Sequence, residues 1–225
     1  MEEAKMNLSV TPEDQIIEMD IDRLHDFKNH PFRVETDANM LELRDSIEKY
    51  GILTPILVRP VLDGYYEIIS GHRRKYAAKQ LGYRKVPVII RVLKDDEAVV
   101  AMVDSNFQRE YILPSEKAFA YKMKYDVLRK DNKKTIRGQI DHNRKGKRTV
   151  QVLAEEFGES PKQIQRYLKL TQLIPELLTK LDDDGLSFSA ATEIAFLKEE
   201  EQRLFLEAMD IVQATPSLSL SLIHI

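Results

Sequence analysis

Two adjacent arginines, Arg73 and Arg74, follow an apolar run and a Ser-Gly-His sequence in the stretch IISGHRRKYAAKQLG, residues 68–82. The pattern predicts a strand that ends at Ser70 and a short helix that begins after Gly71. A helix N-terminus leaves backbone N–H groups free and carries the positive end of the helix dipole. Glycine lets a ligand approach the backbone, and guanidinium groups supply forked donors for oxygen anions. The stretch therefore indicates a phosphate site.

A second polar cluster lies in DSNFQRE, residues 104–110, at the predicted end of another helix. Asn106, Gln108 and Arg109 are side chains that can close around a polyphosphate or around its metal ion. An exposed arginine pair more often forms surface salt bridges, which remains the alternative for the first stretch. The second cluster raises the weight of the phosphate interpretation.

A helix-turn-helix pattern occupies TVQVLAEEFGESPKQIQRYLKL, residues 149–170. Ala154 is small where a second helix must cross closely, and Gly158 suits a turn with positive φ. Ser160 is a predicted N-cap and forms a capping box with Gln163, and the outward residues of the second helix include no acid. A generic helical hairpin is the alternative, but this spacing and face favour a recognition helix in the major groove. The residues predicted to bind DNA here are Ser160, Lys162, Gln163, Gln165, Arg166 and Lys169.

A basic and poorly periodic stretch, residues 129–148, precedes this pattern. Such runs are usually solvated linkers, but the position beside a helix-turn-helix makes contact with DNA phosphates an equal alternative. The residues predicted to contact DNA from this side are Lys145, Lys147, Arg148 and Thr149.

The elements that must position these residues change in character along the chain. Strand and helix patterns alternate up to about residue 110, and helical patterns follow. The sequence predicts an α+β protein with a small α/β domain over 14–112 and an all-helical DNA-binding domain over 113–213. The last residues, 214–225, are of low complexity, and we expect a non-native tail there and a missing natural C-terminus.

Composition excludes some classes of function. The 225 residues include no cysteine, which rules out disulfides, a thiolate zinc site and a cysteine nucleophile. The net charge is only −3, so any anion-binding surface must be local. The sequence has neither a signal-peptide pattern nor an apolar run long enough for a membrane span, so we expect a cytoplasmic protein without a membrane partner.

Four motifs in order, TPILVRP, SGHRRKYAAKQLG, SNFQRE with LPSEKA, and the helix-turn-helix, resemble the ParB partition-protein family over about residues 14–210. The resemblance implies a ParB/sulfiredoxin-like N-terminal domain that binds CTP with Mg²⁺. It implies double-stranded DNA with a parS-like site as partner, CTP-driven closure of two copies into a DNA clamp, and an association with a ParA-type ATPase. The implied nucleotide-binding residues are Thr54, Pro55, Ser70, Gly71, His72, Arg73, Arg74, Asn106, Gln108 and Arg109, with Asn106 as a candidate Mg²⁺ ligand.

The sequence departs from the family pattern at three positions. His72 and Ser105 stand where the family usually has glutamates associated with hydrolysis, and Tyr76 stands in place of a further arginine. These departures predict CTP hydrolysis that is weak or undetectable, unless neighbouring Asp104 substitutes for a glutamate. The family's C-terminal dimerisation domain is not represented.

Three other functions compete with this interpretation. A ParB-like nuclease would need clustered metal ligands, and the histidines are scattered in the sequence. Sulfiredoxin chemistry requires a cysteine. A helix-turn-helix transcription regulator without nucleotide switching remains, and its indifference to CTP would distinguish it. We expect a sequence-specific DNA-binding protein of chromosome or plasmid partition, switched by CTP.

Overall fold

The computed structural model describes residues 15–109, 111–135 and 148–212, without the side chains of 131–135 and 210–212. The chain divides into two compact units, Met1–Arg109 and Glu110–Ile225. The first contains a sheet and helices, and the described part of the second is helical. The α+β class predicted from the sequence is confirmed.

The N-terminal unit is built on a five-stranded mixed sheet with the order β1-β5-β3-β4-β2. Antiparallel pairs join β1 to β5 and β3 to β4, and parallel pairs join β5 to β3 and β4 to β2. The apolar run of β3 is buried on both faces, as expected of a central strand. The strands are β1 Ile16–Asp20, β2 Leu24–His25, β3 Ile56–Pro60, β4 Tyr66–Ser70 and β5 Lys85–Ile90.

Three helices accompany this sheet, α1 Ala38–Tyr50, α2 His72–Gln80 and α3 Asp95–Asn106. Met40 and Ile47 of α1 pack against Ala77 of α2. Met40, Leu43, Ile47 and Tyr50 recur at helical spacing, but Leu43 is only partly buried against this cluster and Tyr50 is exposed. Asp37 caps α1 by accepting the Met40 N–H at 2.7 Å, and Gly51 ends the helix with a φ of 71°. Because α2 starts directly after β4, the sheet and the α1–α2 pair together fix the position of the Gly71 turn.

The C-terminal unit contains α4 Pro114–Thr135, α5 Thr149–Phe157, α6 Pro161–Leu170, α7 Pro175–Asp182, α8 Phe188–Ile194 and α9 Glu199–Val212. Its core joins Leu170 at the end of α6 to apolar side chains of α7, α8 and α9. Helix α4 continues through the first residues of the basic stretch, which the sequence had not predicted to be helical. No helix among the described residues is long and apolar enough to cross a membrane.

Candidate functional site

The turn between β4 and α2 leaves the positive end of a helix uncompensated. Gly71 precedes α2 with φ 110° and ψ 20°, and the helix has no side-chain cap and no acidic residue in its first turn. A Cβ at this position would lie 3.1 Å from Nη2 of Arg74 and 3.3 Å from Cγ1 of Ile56. The positive φ favours glycine here, and a Cβ would crowd the side chains of Arg74 and Ile56. The first-turn N–H groups favour an anion.

Arg74 is a half-buried cation at this turn. Its Nη1 donates to the carbonyl oxygen of Thr54 and, at 2.7 Å, to that of Pro55. Burial lowers the pKa of Arg74 below its ordinary value. Within the described ranges no carboxylate forms an ion pair with it. A partly desolvated positive charge without a neutralising anion is costly, so this position favours an anionic ligand.

Arg73 has a protein partner. Its Nη2 lies 2.8 Å from Oδ1 of Asp37, the residue that also caps α1. The hydrogen bond from Arg73 is the main reason that the pKa of Asp37 is lowered. This ion pair is partly exposed, so the attraction between its charges is modest. Arg73 can therefore exchange Asp37 for a phosphate oxygen at small cost.

The imidazole of His72 is buried, with 5% of the residue exposed, and holds a neighbouring loop. Its Nε2 accepts the N–H of Phe27 at 3.3 Å, and the next N–H of that loop, from Lys28, donates to Oε1 of Glu67 at 3.1 Å. Burial and nearby positive charges lower the pKa of His72 to about 2, so the ring is neutral. Only the backbone of His72 lies in the open first turn, which leaves its side chain a structural role.

His30 lies against His72, with ring centroids 3.8 Å apart. Its Nδ1–H donates to the carbonyl oxygen of Phe32 at 2.7 Å, while Nε2 is buried and has no protein partner in the described part of the chain. Burial is the main cause that lowers the pKa of His30 to about 4. The two rings form a neutral buried pair under the start of α2.

The second predicted cluster lies at the end of α3. Asn106 is buried and donates from Nδ2 to the Met102 carbonyl oxygen at 2.9 Å, and Ser105 donates from Oγ to the same oxygen at 2.9 Å. Gln108 is exposed, and the guanidinium carbon of Arg109 lies 5.2 Å from the centre of the Phe32 ring.

The structure brings the second cluster close to the first. The positive charge of Arg109 helps to lower the pKa of both His30 and His72. Phe32 contacts residues on both sides: its ring centre lies 5.6 Å from that of His30, beside the first cluster, and 6.3 Å from that of Phe107, in the second cluster. The loop that carries Phe27, His30 and Phe32 thus joins the two motifs. The sequence predicts a loop through KNHPFR, residues 28–33, but the sequence analysis assigned none of its residues to the site.

The described residues do not form a metal site from protein ligands alone. No group of three or more His, Asp or Glu side chains that could hold a metal ion occurs among the residues described. Magnesium bound together with a nucleotide needs only one or two protein ligands, because phosphate oxygens and water complete its shell. Asn106 has the oxygen chemistry for such a role.

Helices α5 and α6 are joined by a short turn in which Gly158 has a φ of 66°. Oγ of Ser160 accepts the Gln163 N–H at 3.1 Å, but Oε1 of Gln163 faces Nη1 of Arg166 at 3.4 Å, so only the serine half of the predicted capping box forms. Leu153, Ala154 and Ile164 are buried at the crossing.

The predicted DNA-contacting residues differ in exposure. Lys162 and Gln165 are exposed, whereas Gln163, Arg166 and Lys169 are half-buried. Nη2 of Arg166 donates to Oγ of Ser189 at 3.0 Å, so its guanidinium does not project freely as the sequence analysis expected. Arg148 precedes α5 and donates its N–H to Oε1 of Gln151, and Thr149 is the first residue of that helix. Lys145 and Lys147 lie outside the described residues.

Comparison with known proteins identifies the family. Residues 6–107 match the ParB N-terminal domain. A structural likeness extends this match to the C-terminally truncated chromosome-partitioning protein ParB from Caulobacter crescentus complexed to the centromeric parS site. That likeness has a TM-score of 0.50 and 26% identity, and it covers 91% of this chain and 96% of the other. By this match, residues 6–107 belong to the ParB N-terminal domain family.

Curated relatives of this chain include nucleoid occlusion proteins. That of Oceanobacillus iheyensis is 29% identical over 192 residues, which are 85% of this chain and 61% of the relative. That of Bacillus thuringiensis is 32% identical over 191 residues, 85% of this chain and 60% of the relative. The chain thus spans about three fifths of the length of these ParB-family relatives.

Proposed function

We propose that this chain is a sequence-specific DNA-binding protein of partition or nucleoid occlusion whose N-terminal unit binds CTP. The observation that carries the proposal is the turn at Gly71, where an uncapped helix start lies together with Arg74, a partly buried cation that has no carboxylate partner among the described residues. An oxygen anion satisfies both at once, because it accepts backbone N–H groups and neutralises the guanidinium.

A nucleoside triphosphate fits this turn better than an isolated phosphate does. Arg74 bonds to the carbonyl oxygens of Thr54 and Pro55, so the same side chain touches the segment that the family resemblance assigns to the base. Arg109 adds a second positive charge, which acts on the buried histidines from the other motif. A ligand with phosphates at the Gly71 turn and a base beside Thr54 and Pro55 would be a nucleotide. The preference for cytosine rests on the family resemblance alone.

The chain's own residues divide the work of binding. The first-turn N–H groups of α2 and Arg74 hold phosphate oxygens, and Arg73 joins them after it leaves Asp37. Asn106 and Arg109 close the other side, with Asn106 as a ligand of Mg²⁺. The nucleotide supplies the negative charge that this turn lacks. Ser70, Thr54, Pro55 and Gln108 complete the proposed site.

The DNA-binding half of the proposal rests on α6. Its outward residues contain no acid, and Lys162 and Gln165 are exposed where a helix in the major groove presents side chains to bases and phosphates. The Caulobacter relative complexed to a parS site and the nucleoid occlusion relatives support this use of the helical unit. We also propose that two copies close on DNA when CTP is bound, and that a ParA-type ATPase is a partner.

Isothermal titration of the full chain with CTP, ATP and GTP tests the proposal, with and without a parS-like duplex. We expect CTP and Mg²⁺ to bind at least about tenfold more tightly than the purine nucleotides. DNA binding without any nucleotide binding would favour a transcription regulator. Metal-dependent cleavage of the duplex would favour a nuclease.

A further inference from the structure

The guanidinium group of Arg166 is fixed from outside its own helix. Nη2 donates to Oγ of Ser189 on α8 at 3.0 Å, and the guanidinium carbon lies 4.7 Å from the centre of the Phe188 ring. Nη1 lies 3.4 Å from Oε1 of Gln163, one turn earlier on α6. The structure shows no carboxylate paired with Arg166 among the described residues. Its remaining N–H donors are left for a ligand.

Phe188 is itself held in place by a row of aromatic rings. Its ring centre lies 4.9 Å from that of Tyr167, whose centre lies 5.4 Å from that of Tyr121 on α4. Tyr121 in turn is 5.1 Å from Phe157 on α5. Each contact is edge-to-face, the favourable geometry for aromatic pairs. The aromatic row under Arg166 therefore packs α4, α5, α6 and α8 together.

We propose that Ser189 and Phe188 are specificity-determining residues that act by positioning Arg166 to read a base pair. This inference rests on the proposed DNA-binding function. An arginine reads guanine with two donors in one plane, so discrimination depends on the orientation of that plane. A hydrogen bond on one side and an aromatic face below fix the plane before DNA arrives, which lowers the entropy lost on binding.

If Ser189 positions Arg166, its removal should have a specific effect on DNA binding. The residue need not touch DNA, and its removal should weaken only the base preference that Arg166 confers. Ser187 provides a matched control, because it caps α8 by accepting the Ala190 N–H at 3.3 Å. Ser187→Ala should lower the stability of α8 about as much as Ser189→Ala does, but it removes no contact with Arg166.

Selection from a library of random-sequence duplexes tests the inference on the full chain. The preferred duplex and its single base-pair substitutions are then measured by fluorescence anisotropy for the wild type and for Arg166→Ala, Ser189→Ala, Ser189→Thr, Ser187→Ala and the Arg166→Ala/Ser189→Ala double variant. We expect Ser189→Ala to reduce the preference by about three- to tenfold at the base pair where Arg166→Ala abolishes it. Ser189→Thr keeps the hydroxyl and should retain the wild-type preference at that base pair.

The double-mutant cycle separates a positioning role from a structural one. If Ser189 acts through Arg166, the double variant should match Arg166→Ala, and Ser187→Ala should lower the Tm while leaving the preference unchanged. The inference is overturned if Ser189→Ala keeps the wild-type preference, if the two losses are additive, or if Arg166→Ala keeps it. A wild type that enriches no sequence overturns the proposed DNA reading itself.

Discussion

The carboxylate of Asp37 both caps α1 and neutralises Arg73, whose Nη2 lies 2.8 Å from Oδ1. A ligand that draws Arg73 to the first turn of α2 must therefore break an ion pair at the start of a second helix. Binding at the Gly71 turn is in this way connected to the N-terminus of α1.

The first prediction concerns this competition. Asp37→Asn should tighten CTP binding by about two- to fivefold, because the asparagine keeps the cap but releases Arg73. Asp37→Ala loses the cap as well and should lower the stability of the unit by about 1 kcal/mol. Titration calorimetry and thermal denaturation of both variants measure the two effects. Weaker CTP binding by Asp37→Asn would contradict the exchange.

The second prediction separates the two arginines. Arg73→Ala should weaken CTP binding by about one to two decades with little change in Tm, because its protein partner is an exposed carboxylate. Arg74→Ala should weaken binding similarly and also lower the free energy of unfolding by about 1–3 kcal/mol, since it leaves the Thr54 and Pro55 carbonyl oxygens without this donor. Unchanged CTP affinity in both variants would refute the phosphate assignment.

The third prediction follows from the buried histidine pair. Their pKa values fall from 6.5 to about 4 for His30 and about 2 for His72, so the unfolded chain binds protons that the folded chain does not. The free energy of unfolding should therefore fall as the pH drops below 6.5, by about 1.4 kcal/mol per pH unit for each histidine until the folded pKa is reached.

His72→Gln is the matched control for this pH dependence, because glutamine offers a neutral acceptor to the Phe27 N–H. Between about pH 6.5 and pH 5 the wild type should lose about 1–2 kcal/mol more than the variant in urea denaturation. Parallel curves for the two proteins would show that His72 titrates normally.

The fourth prediction concerns hydrolysis. His72→Glu should raise CTP turnover by about tenfold or more without tighter binding. A charged carboxylate is costly to bury against the Phe27 loop, so it should turn into the open first turn of α2 and there accept a proton or orient water, which the neutral buried imidazole does not. The charges of Lys75, Arg109 and Arg74, which help to lower the pKa of His72, would stabilise that carboxylate. Phosphate release is the measurement, with His72→Gln as the uncharged comparison. Brisk turnover by the wild type would show that another group, such as Asp104, is sufficient.

The fifth prediction distinguishes phosphate contacts from base contacts on α6. Lys162→Ala should weaken specific and random duplexes equally and reduce the slope of log K against log salt by about 1. Gln163→Ala should cost about 1–3 kcal/mol on the specific duplex and little on random DNA. Anisotropy titrations at several salt concentrations measure both. Parallel losses for Gln163→Ala would mean that this residue does not read a base.

Local features of this chain were predictable from sequence because they depend on neighbouring residues. The strand, the glycine turn and the helix at Ser70–His72 occur where the pattern placed them, as does the serine cap of α6. Their signals are the period of the apolar residues and the backbone needs of glycine and serine.

Pairings between distant residues were not predictable. Asp37 lies 36 positions before its partner Arg73, and Thr54 lies 20 positions before Arg74. Adjacency in sequence suggested that His72 shares the ligand with its neighbours, whereas the first turn of α2 directs its ring into the loop at Phe27. Arg166 was expected to be exposed because its partner Ser189 lies on α8, and the sequence of α6 gives no sign of that contact.

The aromatic row from Phe157 to Phe188 also limits how this protein can be re-engineered. We propose that Arg166 reads a base and that Phe188 and Ser189 orient it, so a transfer of α6 alone into a relative would separate the arginine from these two residues. The resulting protein should keep affinity for DNA but show little selectivity. The smallest portable reader extends from Tyr121 on α4 to Ser189 on α8.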